Sequence, residues 1–353
     1  MRVWDSSECT ELGWVEENYL FEANSTQGTP TTPVTITATS QIIAHIDYPS
    51  GWTWFSMNLQ NNNMGLNSVF ANLNLTSSDI IKDQTSYAQY VPGAGWVGPL
   101  SELNNQSMYL INLDNANTLE MVGYAVNVEL DTIDVVSGWN WIAYTPQLSI
   151  ELNTALNSLS SATGDIIKSQ FFYAQYVEGI GWLGSLSYMN TELGYMLKSL
   201  YPGELLYPFT ESQRGEEEDQ NYMPPLAENA PSWQVNPASF EHNMTITGTG
   251  FINDAHIDNP MDMIGAFAMV DDGAGGYTSE CRGIAQPIFI EALDSWTFFM
   301  VVYGNTPGDE LEFRLFDAGA DHIWGVLESI EFNPNIELGT VLKPYSWNAL
   351  PQI

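Results

Sequence analysis

Six tryptophans, five aspartates and two glycine triplets are the residues whose types and spacing could carry chemistry. Trp52 and Trp54 share the run Gly51-Trp-Thr-Trp54, Trp139 and Trp141 share Gly138-Trp-Asn-Trp141, and Trp96 and Trp182 each follow a glycine. Along a strand alternate side chains share a face, so each Trp-x-Trp pair sets two flat rings on one side of a sheet. Left open to water, such rings stack on pyranose sugars; covered, they are core. The six therefore form the candidate ligand platform. Asp254-Ala-His256-Ile-Asp258 would place three metal-capable side chains on one face, and Asp262, Asp271 and Asp272 follow closely. Hard oxygen ligands on turns suit Ca²⁺, so Asp254, Asp258, Asp262, Asp271 and Asp272 are the candidate metal ligands, although no EF-hand loop is present. Gly93-x-Gly95-x-x-Gly98 and Gly179-x-Gly181-x-x-Gly184 match the dinucleotide fingerprint by letter. That fingerprint needs a strand before it and a helix opening at the third glycine, so that amides and dipole face a pyrophosphate. A tryptophan inside each triplet and Pro99 after the first argue for a tight hairpin turn instead.

Catalytic signatures are missing. The sequence has no G-x-S-x-G elbow and no H-E-x-x-H, and His45, His242, His256 and His322 fall in four different segments. Forty-three acidic residues could supply paired carboxylates, but nothing singles out a pair. The expectation is a protein that is not an enzyme. Lys82 and Lys168 stand out among eight basic residues, and Asp79 and Asp165 are the expected ion-pair partners. Arg282 and Arg314 are expected to pair internally with carboxylates.

These residues sit in a repeat. Asp79–Leu100, DIIKDQTSYAQYVPGAGWVGPL, returns as Asp165–Leu186, DIIKSQFFYAQYVEGIGWLGSL, 86 positions later (165 − 79), and the Gly-Trp-x-Trp run returns after 87 (138 − 51). A repeated block this rich in matched aromatics and glycines is a folding unit. Leu66, Val69, Phe70 and Leu73 recur at helical spacing, as do Leu152, Leu156 and Leu159, which predicts one short amphipathic helix per unit. The expected fold is mainly β with minor α: two tandem α+β or β modules of about 86 residues, over 38–126 and 127–208, followed by a β-sandwich over 229–353. Residues 209–228 read as an acidic, proline-bearing linker. Strands are expected at Met244–Thr249, Met263–Met269, Trp296–Val302, Leu311–Phe316 and Ile330–Phe332. Residues 1–37 resemble the end of that sandwich: Arg2-Val-Trp-Asp5 parallels Arg314-Leu-Phe-Asp317 at an offset of 312 (314 − 2), and Phe21 parallels Phe332 at 311 (332 − 21). They are expected to be the truncated C-terminal part of a second sandwich module in a longer array.

A formal charge of −35 excludes nucleic acid and anionic membrane as partners, since both demand basic patches. It favours solubility, cation binding or salty surroundings. No run of about 18 apolar residues exists, so no membrane insertion is expected. Cys9 and Cys281 could form one bridge but no disulfide framework, and two thiols with Cys281 buried fit cysteine's habits better.

With these motifs in view, the pattern Gly-Trp-Asn-Trp141, Gly164-Asp-Ile-Ile-Lys-Ser-Gln170, Gly181-Trp-Leu-Gly-Ser-Leu186 and Gly194-Tyr-Met-Leu-Lys198 resembles modules of secreted, multi-domain surface proteins of Bacteroidetes and related bacteria. Those proteins often end in a type IX secretion sorting domain. Trp233–Asn236, Asp262-Met-Ile-Gly-Ala-Phe267 and Glu280-Cys-Arg-Gly283 resemble a second module of the same proteins. The resemblance implies an exported, repetitive, cell-surface or extracellular protein, and it brings no reaction with it. A signal segment and a sorting domain are not seen and are expected outside this chain, and Asp271–Tyr277 looks like an insertion. The reading is a non-catalytic structural or adhesive segment, with no cofactor beyond the candidate calcium. Its expected partners are other modules of the array, neighbouring chains and glycans. Two rivals are a carbohydrate-binding accessory region of a polysaccharide-degrading enzyme and a calcium-dependent adhesin domain.

Overall fold

The repeated block folds the same way twice. In the computed structural model, which describes residues 2–5, 10–14, 29, 31, 41–209, 221 and 223–349, strand accounts for 51% of the chain and helix for 5%, a mainly β protein with minor α. The first repeat contributes β1 (Gly51–Ser56), the single-turn helix α1 (Leu66–Val69), β2 (Ile80–Lys82), β3 (Tyr87–Val91), β4 (Gly95–Val97) and β5 (Met108–Leu113). The second contributes β6 (Gly138–Ala143), α2 (Leu152–Ala155), β7 (Ile166–Lys168), β8 (Tyr173–Val177), β9 (Gly181–Gly184) and β10 (Gly194–Ser199). Both form antiparallel five-stranded sheets of equivalent order, β1-β5-β2-β3-β4 and β6-β10-β7-β8-β9. The register also repeats: Ile81 pairs with Ala88 and Ile111, Ile167 with Ala174 and Leu197.

Strand alternation explains each core. Phe55, Ile81, Ala88, Trp96 and Ile111 point to one face, where Leu66 and Phe70 cover them. Ile142, Ile167, Ala174, Trp182 and Leu197 do the same under Leu152 and Leu156. Burying each such aromatic or aliphatic side chain contributes about 1.5–3 kcal/mol before chain entropy is subtracted. Asp79 and Asp165, both buried, are not lysine partners. The Asp79 carboxylate accepts from the Thr76 and Asp114 amides, and Asp165 accepts from Ala162 and Leu200, at 2.7–2.8 Å. A buried carboxylate holding two backbone amides pins the loop before the DIIK strand to the end of the long central strand. That is why aspartate opens both blocks.

The glycine triplets are hairpin turns between β3 and β4 and between β8 and β9; a strand, not a helix, follows each. Gly95 and Gly181 have φ of +84° and +114°, and a side chain on either would strike Asn67 or Asn153. Those asparagines each accept the following tryptophan amide at 2.7 Å, so the turn docks on the helix. The third glycine lets strands cross closely: a Cβ on Gly184 would lie 2.2 Å from the Tyr173 carbonyl oxygen. Gly184→Ala is expected to cost about 1–3 kcal/mol through overpacking against backbone. An unchanged melting midpoint would contradict that.

The C-terminal unit comprises β11 (His242–Ile252), β12 (Met263–Asp271), β13 (Tyr277–Ala285), β14 (Pro287–Ile290), β15 (Ser295–Gly304), β16 (Glu310–Asp317), β17 (His322–Glu331) and β18 (Tyr345–Ala349). They form one curled mixed sheet of order β13-β12-β16-β17-β18-β11-β15-β14, in which β11 and β18 run parallel. The link between β17 and β18 is one residue pair, Val326 with Ala349. The sheet thus closes as two four-stranded leaves over a shared core. Ile246, Phe298, Met300 and Trp347 come from one leaf, and Ile264, Ala266, Phe313 and Leu315 from the other. The apparent insertion Asp271–Tyr277 is the β12–β13 hairpin loop, where the Asp272 carboxylate accepts from Ala274 and Gly276.

The N-terminal strands Arg2–Asp5 and Thr10–Trp14 pair antiparallel, with Asp5 opposite Thr10 and Trp4 opposite Glu11. At the offset of 312 these are the pairings Asp317 with His322 and Phe316 with Ile323 across the β16–β17 turn. The rest of the expected truncated module, Cys9 and most of the expected linker lie outside the described residues. Among the described residues no helix is long and apolar enough to cross a membrane.

Candidate functional site

The four Gly-Trp-x-Trp tryptophans face away from the module cores, as alternation requires, and meet one another. Trp54, Met108, Leu110 and Met196 are buried in one cluster, with Trp52, Trp139 and Trp141 packed on it half-buried. Rather than lying in one open row, these rings line the seam between the two modules. Trp96 and Trp182 belong to the separate module cores, against Phe70 and Tyr90 and against Tyr176. No flat row of six open rings exists, because the second module covers the face that the first would offer to a sugar.

The seam has a pseudo-twofold. Gln84 donates Nε2 to the Trp139 carbonyl (2.8 Å) and accepts the Trp141 amide on Oε1 (2.9 Å). Its repeat equivalent, Gln170, donates to the Trp52 carbonyl (2.9 Å) and accepts the Trp54 amide (3.1 Å). The Ser56 amide reaches the Glu192 carbonyl and the Ala143 amide the Gln106 carbonyl, each at 3.1 Å. These contacts are returned in pairs, as in an isologous dimer interface, but here within one chain, while the Ser56 hydroxyl, which accepts the Tyr144 amide and donates to the Leu193 carbonyl, has no equivalent at Ala143. The glutamines supply what a sheet neighbour would, capping both hydrogen-bonding groups of a strand edge.

Three lysines close the seam. Lys82 sits over the Trp52 ring and Lys168 over the Trp139 ring, both 4.9 Å from the centroid, and Lys168 is also 5.8 Å from Trp54. The sandwich breaks the twofold. Lys82 pairs with Glu241, Lys198 with Glu337 at 2.8 Å, and Lys168 donates to the Asn243 (2.7 Å) and Asn335 (3.0 Å) carboxamides. Lys168 is 1% exposed, and burial drives its amine down to about 7, partly opposed by the Glu337 charge. Tyr173 shares a 2.8 Å hydrogen bond with Thr247, and Tyr303 donates to the Gln170 carbonyl at 2.7 Å. Ile166 and Val177 pack on Phe299 and Val301 of the outer sandwich face. Sequence reasoning singled out both lysines but assigned the wrong partners. Gln84, Gln170 and Asn243 went unremarked, though the first two were visible as matched residues of the repeat.

The candidate calcium ligands are divided. Asp254, Asp258, Asp271 and Asp272 are exposed and Asp262 is buried. Asp262 precedes β12 and Asp271 ends it, roughly 30 Å apart at about 3.3 Å per residue. The Asp271 and Asp272 carboxylates accept amides of their own loop, at Gly273 and at Ala274 and Gly276. Among the described residues no group of three or more His, Cys, Asp or Glu side chains could hold a metal ion. Asp262 accepts the Ala318 amide at 2.8 Å, and burial with the nearby Asp317 and Asp258 charges pushes its carboxyl up to about 6. A carboxyl raised in the folded state keeps its proton there after the unfolded chain has lost it. Stability from this group is therefore complete below its ordinary value of 3.8 and falls as pH rises toward about 6. Asp262→Asn is expected to flatten that segment of the pH–stability curve relative to the parent chain. Parallel curves for the two would refute it.

Arg282 meets Glu280 (2.6 Å) and Asp309 (3.6 Å) and stacks on Phe240. Arg314 departs from expectation, donating to the Ser279 hydroxyl at 2.9 Å and lying over Phe267. The Cys281 thiol is half-buried, and burial raises it, which makes it a poor nucleophile. No protein-family model, curated protein or solved structure matches this chain.

Proposed function

We propose that this chain is a non-catalytic structural and adhesive segment of a larger, repetitive cell-surface or secreted protein. The observation that supports this reading most is the seam. The tryptophans, lysines and glutamines that could have formed a ligand site instead bind three modules together, leaving an acidic exterior. The resemblance to modules of exported bacterial surface proteins and the repetition agree with it. A strongly acidic, repetitive segment suits display in water, where self-repulsion between copies opposes association.

Antibodies raised against the purified chain test the reading. They are expected to label intact, unpermeabilised cells of the source organism or its culture medium. Labelling confined to permeabilised cells would overturn it. So would saturable glycan binding lost in a folded Trp52→Ala variant, which would favour the carbohydrate-binding rival.

A further inference from the structure

Three lysines reach from the repeat modules to the sandwich, and only one of them avoids a carboxylate. Lys82 meets Glu241 and Lys198 meets Glu337, ion pairs in which an amine stays charged and unreactive. Among the described residues no ion pair involves Lys168. Its Nζ lies 2.7 Å from Asn243 Oδ1 and 3.0 Å from Asn335 Oδ1. Lys168, beside the Trp54 and Trp139 rings, is 1% exposed and Asn243 3%, whereas Asn335 is exposed. The carbonyl carbon of Asn243 is bonded to the oxygen that the amine touches, so Nζ is within about 4 Å of it. A rotation of the carboxamide closes the remainder to the roughly 3–3.5 Å of a near-attack arrangement.

We propose that Lys168 and Asn243 form an isopeptide bond, tying the second repeat module covalently to the sandwich. The neutral amine adds to Asn243 Cγ, forming the new C–N bond while the carbonyl π pair moves onto Oδ1. One proton passes from Nζ to Nδ2. The carbonyl then reforms, the Cγ–Nδ2 bond breaks, and ammonia leaves. Amine and carboxamide give a secondary amide and ammonia, so no oxidant, reductant or cofactor is required.

The surroundings supply what the step needs. Burial lowers the amine to about 7, so that a substantial share of it is in the neutral, nucleophilic form near neutral pH. The dry pocket keeps competing water away from the carboxamide. Glu337, held bidentate by Lys198 at 2.8 and 3.0 Å, is the carboxylate whose charge reaches Lys168 and partly opposes the effect of burial. His242, Glu241 and Lys82 are other titratable groups on this side of the seam, and burial lowers the His242 imidazole, which favours its neutral form. Asn335 holds the amine from the far side, and its exposure makes it the poorer acceptor for condensation.

The bond would close a loop between residues 75 apart, spanning the junction where module separation would begin. The inference stands on the junction geometry and does not depend on where the protein resides.

Intact mass of the denatured full chain tests it directly. The parent chain is expected to weigh one ammonia less than its sequence and to run faster on a denaturing gel. Digestion should yield one branched peptide joining the Lys168 and Asn243 segments. Lys168→Arg and Asn243→Ala should both restore the full mass. A parent chain of full mass after prolonged incubation at mildly alkaline pH overturns the proposal, whatever the variants do. An ammonia loss that persists in Lys168→Arg overturns it too, since that marks a succinimide elsewhere, as does a branch mapped to Asn335.

Discussion

Gln170→Ala is expected to lower stability by about 3 kcal/mol and Gln84→Ala by less than about 1, although the two side chains make the same contacts. Each glutamine caps one carbonyl and one amide on the facing Trp-x-Trp strand, at 2.8–3.1 Å. What differs is water. Gln84 is exposed, so truncation lets solvent take over both groups. Gln170 is 5% exposed, because the sandwich covers it and Tyr303 donates to its carbonyl. Its loss strands a buried amide and a part-buried carbonyl, and an orphaned buried group costs about 1–3 kcal/mol. Urea unfolding followed by tryptophan fluorescence reads the difference as a shift in midpoint. Equal shifts for the two variants would mean that the sandwich does not seal this side of the seam.

That asymmetry marks the boundary of what sequence could show. The repeat was legible because two copies of one block must bury the same face, and matched Ile81/Ile167, Trp96/Trp182 and Gly95/Gly181 report that face directly. The short helices and hairpin turns followed from local spacing. In the sandwich, Met263–Met269, Trp296–Val302 and Leu311–Phe316 were readable as apolar runs, and all lie within observed strands. β17 was caught only at its end, since its pattern over His322–Glu331 is half-exposed along most of its length. β14, only four residues long, was too short to stand out, and β13 with its exposed first half gave too little apolar signal to find.

The site failed for a different reason. Alternation correctly put Trp52 with Trp54 and Trp139 with Trp141 on single faces, but one sequence carries no statement of what covers a face. Lys168 was expected beside Asp165, three residues away, yet Asp165 is spent on backbone amides and Lys168 reaches Asn243. Long-range carboxamide partners leave no local trace. The internal symmetry could have supplied one clue. Lys82 and Lys168 occupy equivalent positions over equivalent tryptophans, so any difference between them must come from a third element, and that element is the sandwich.

Trp54→Ala separates packing from recognition more sharply than any other single change. The ring is 3% exposed, enclosed by Met108, Leu110 and Met196, with Lys168 above it. Truncating a buried tryptophan removes its apolar burial and leaves a cavity, together about 3–5 kcal/mol. Trp52, half-buried and bearing Lys82, loses less area, and the penalty should scale down with it. An exposed sugar platform predicts the opposite pattern, with stability changes within about 0.5 kcal/mol for both and the loss falling on ligand affinity. Thermal midpoints of Trp54→Ala and Trp52→Ala, measured beside glycan binding by the same samples, distinguish the two. A large midpoint drop for Trp54, a smaller one for Trp52 and no glycan affinity to lose is the expected result. Unchanged midpoints would return these tryptophans to the surface and dissolve the seam.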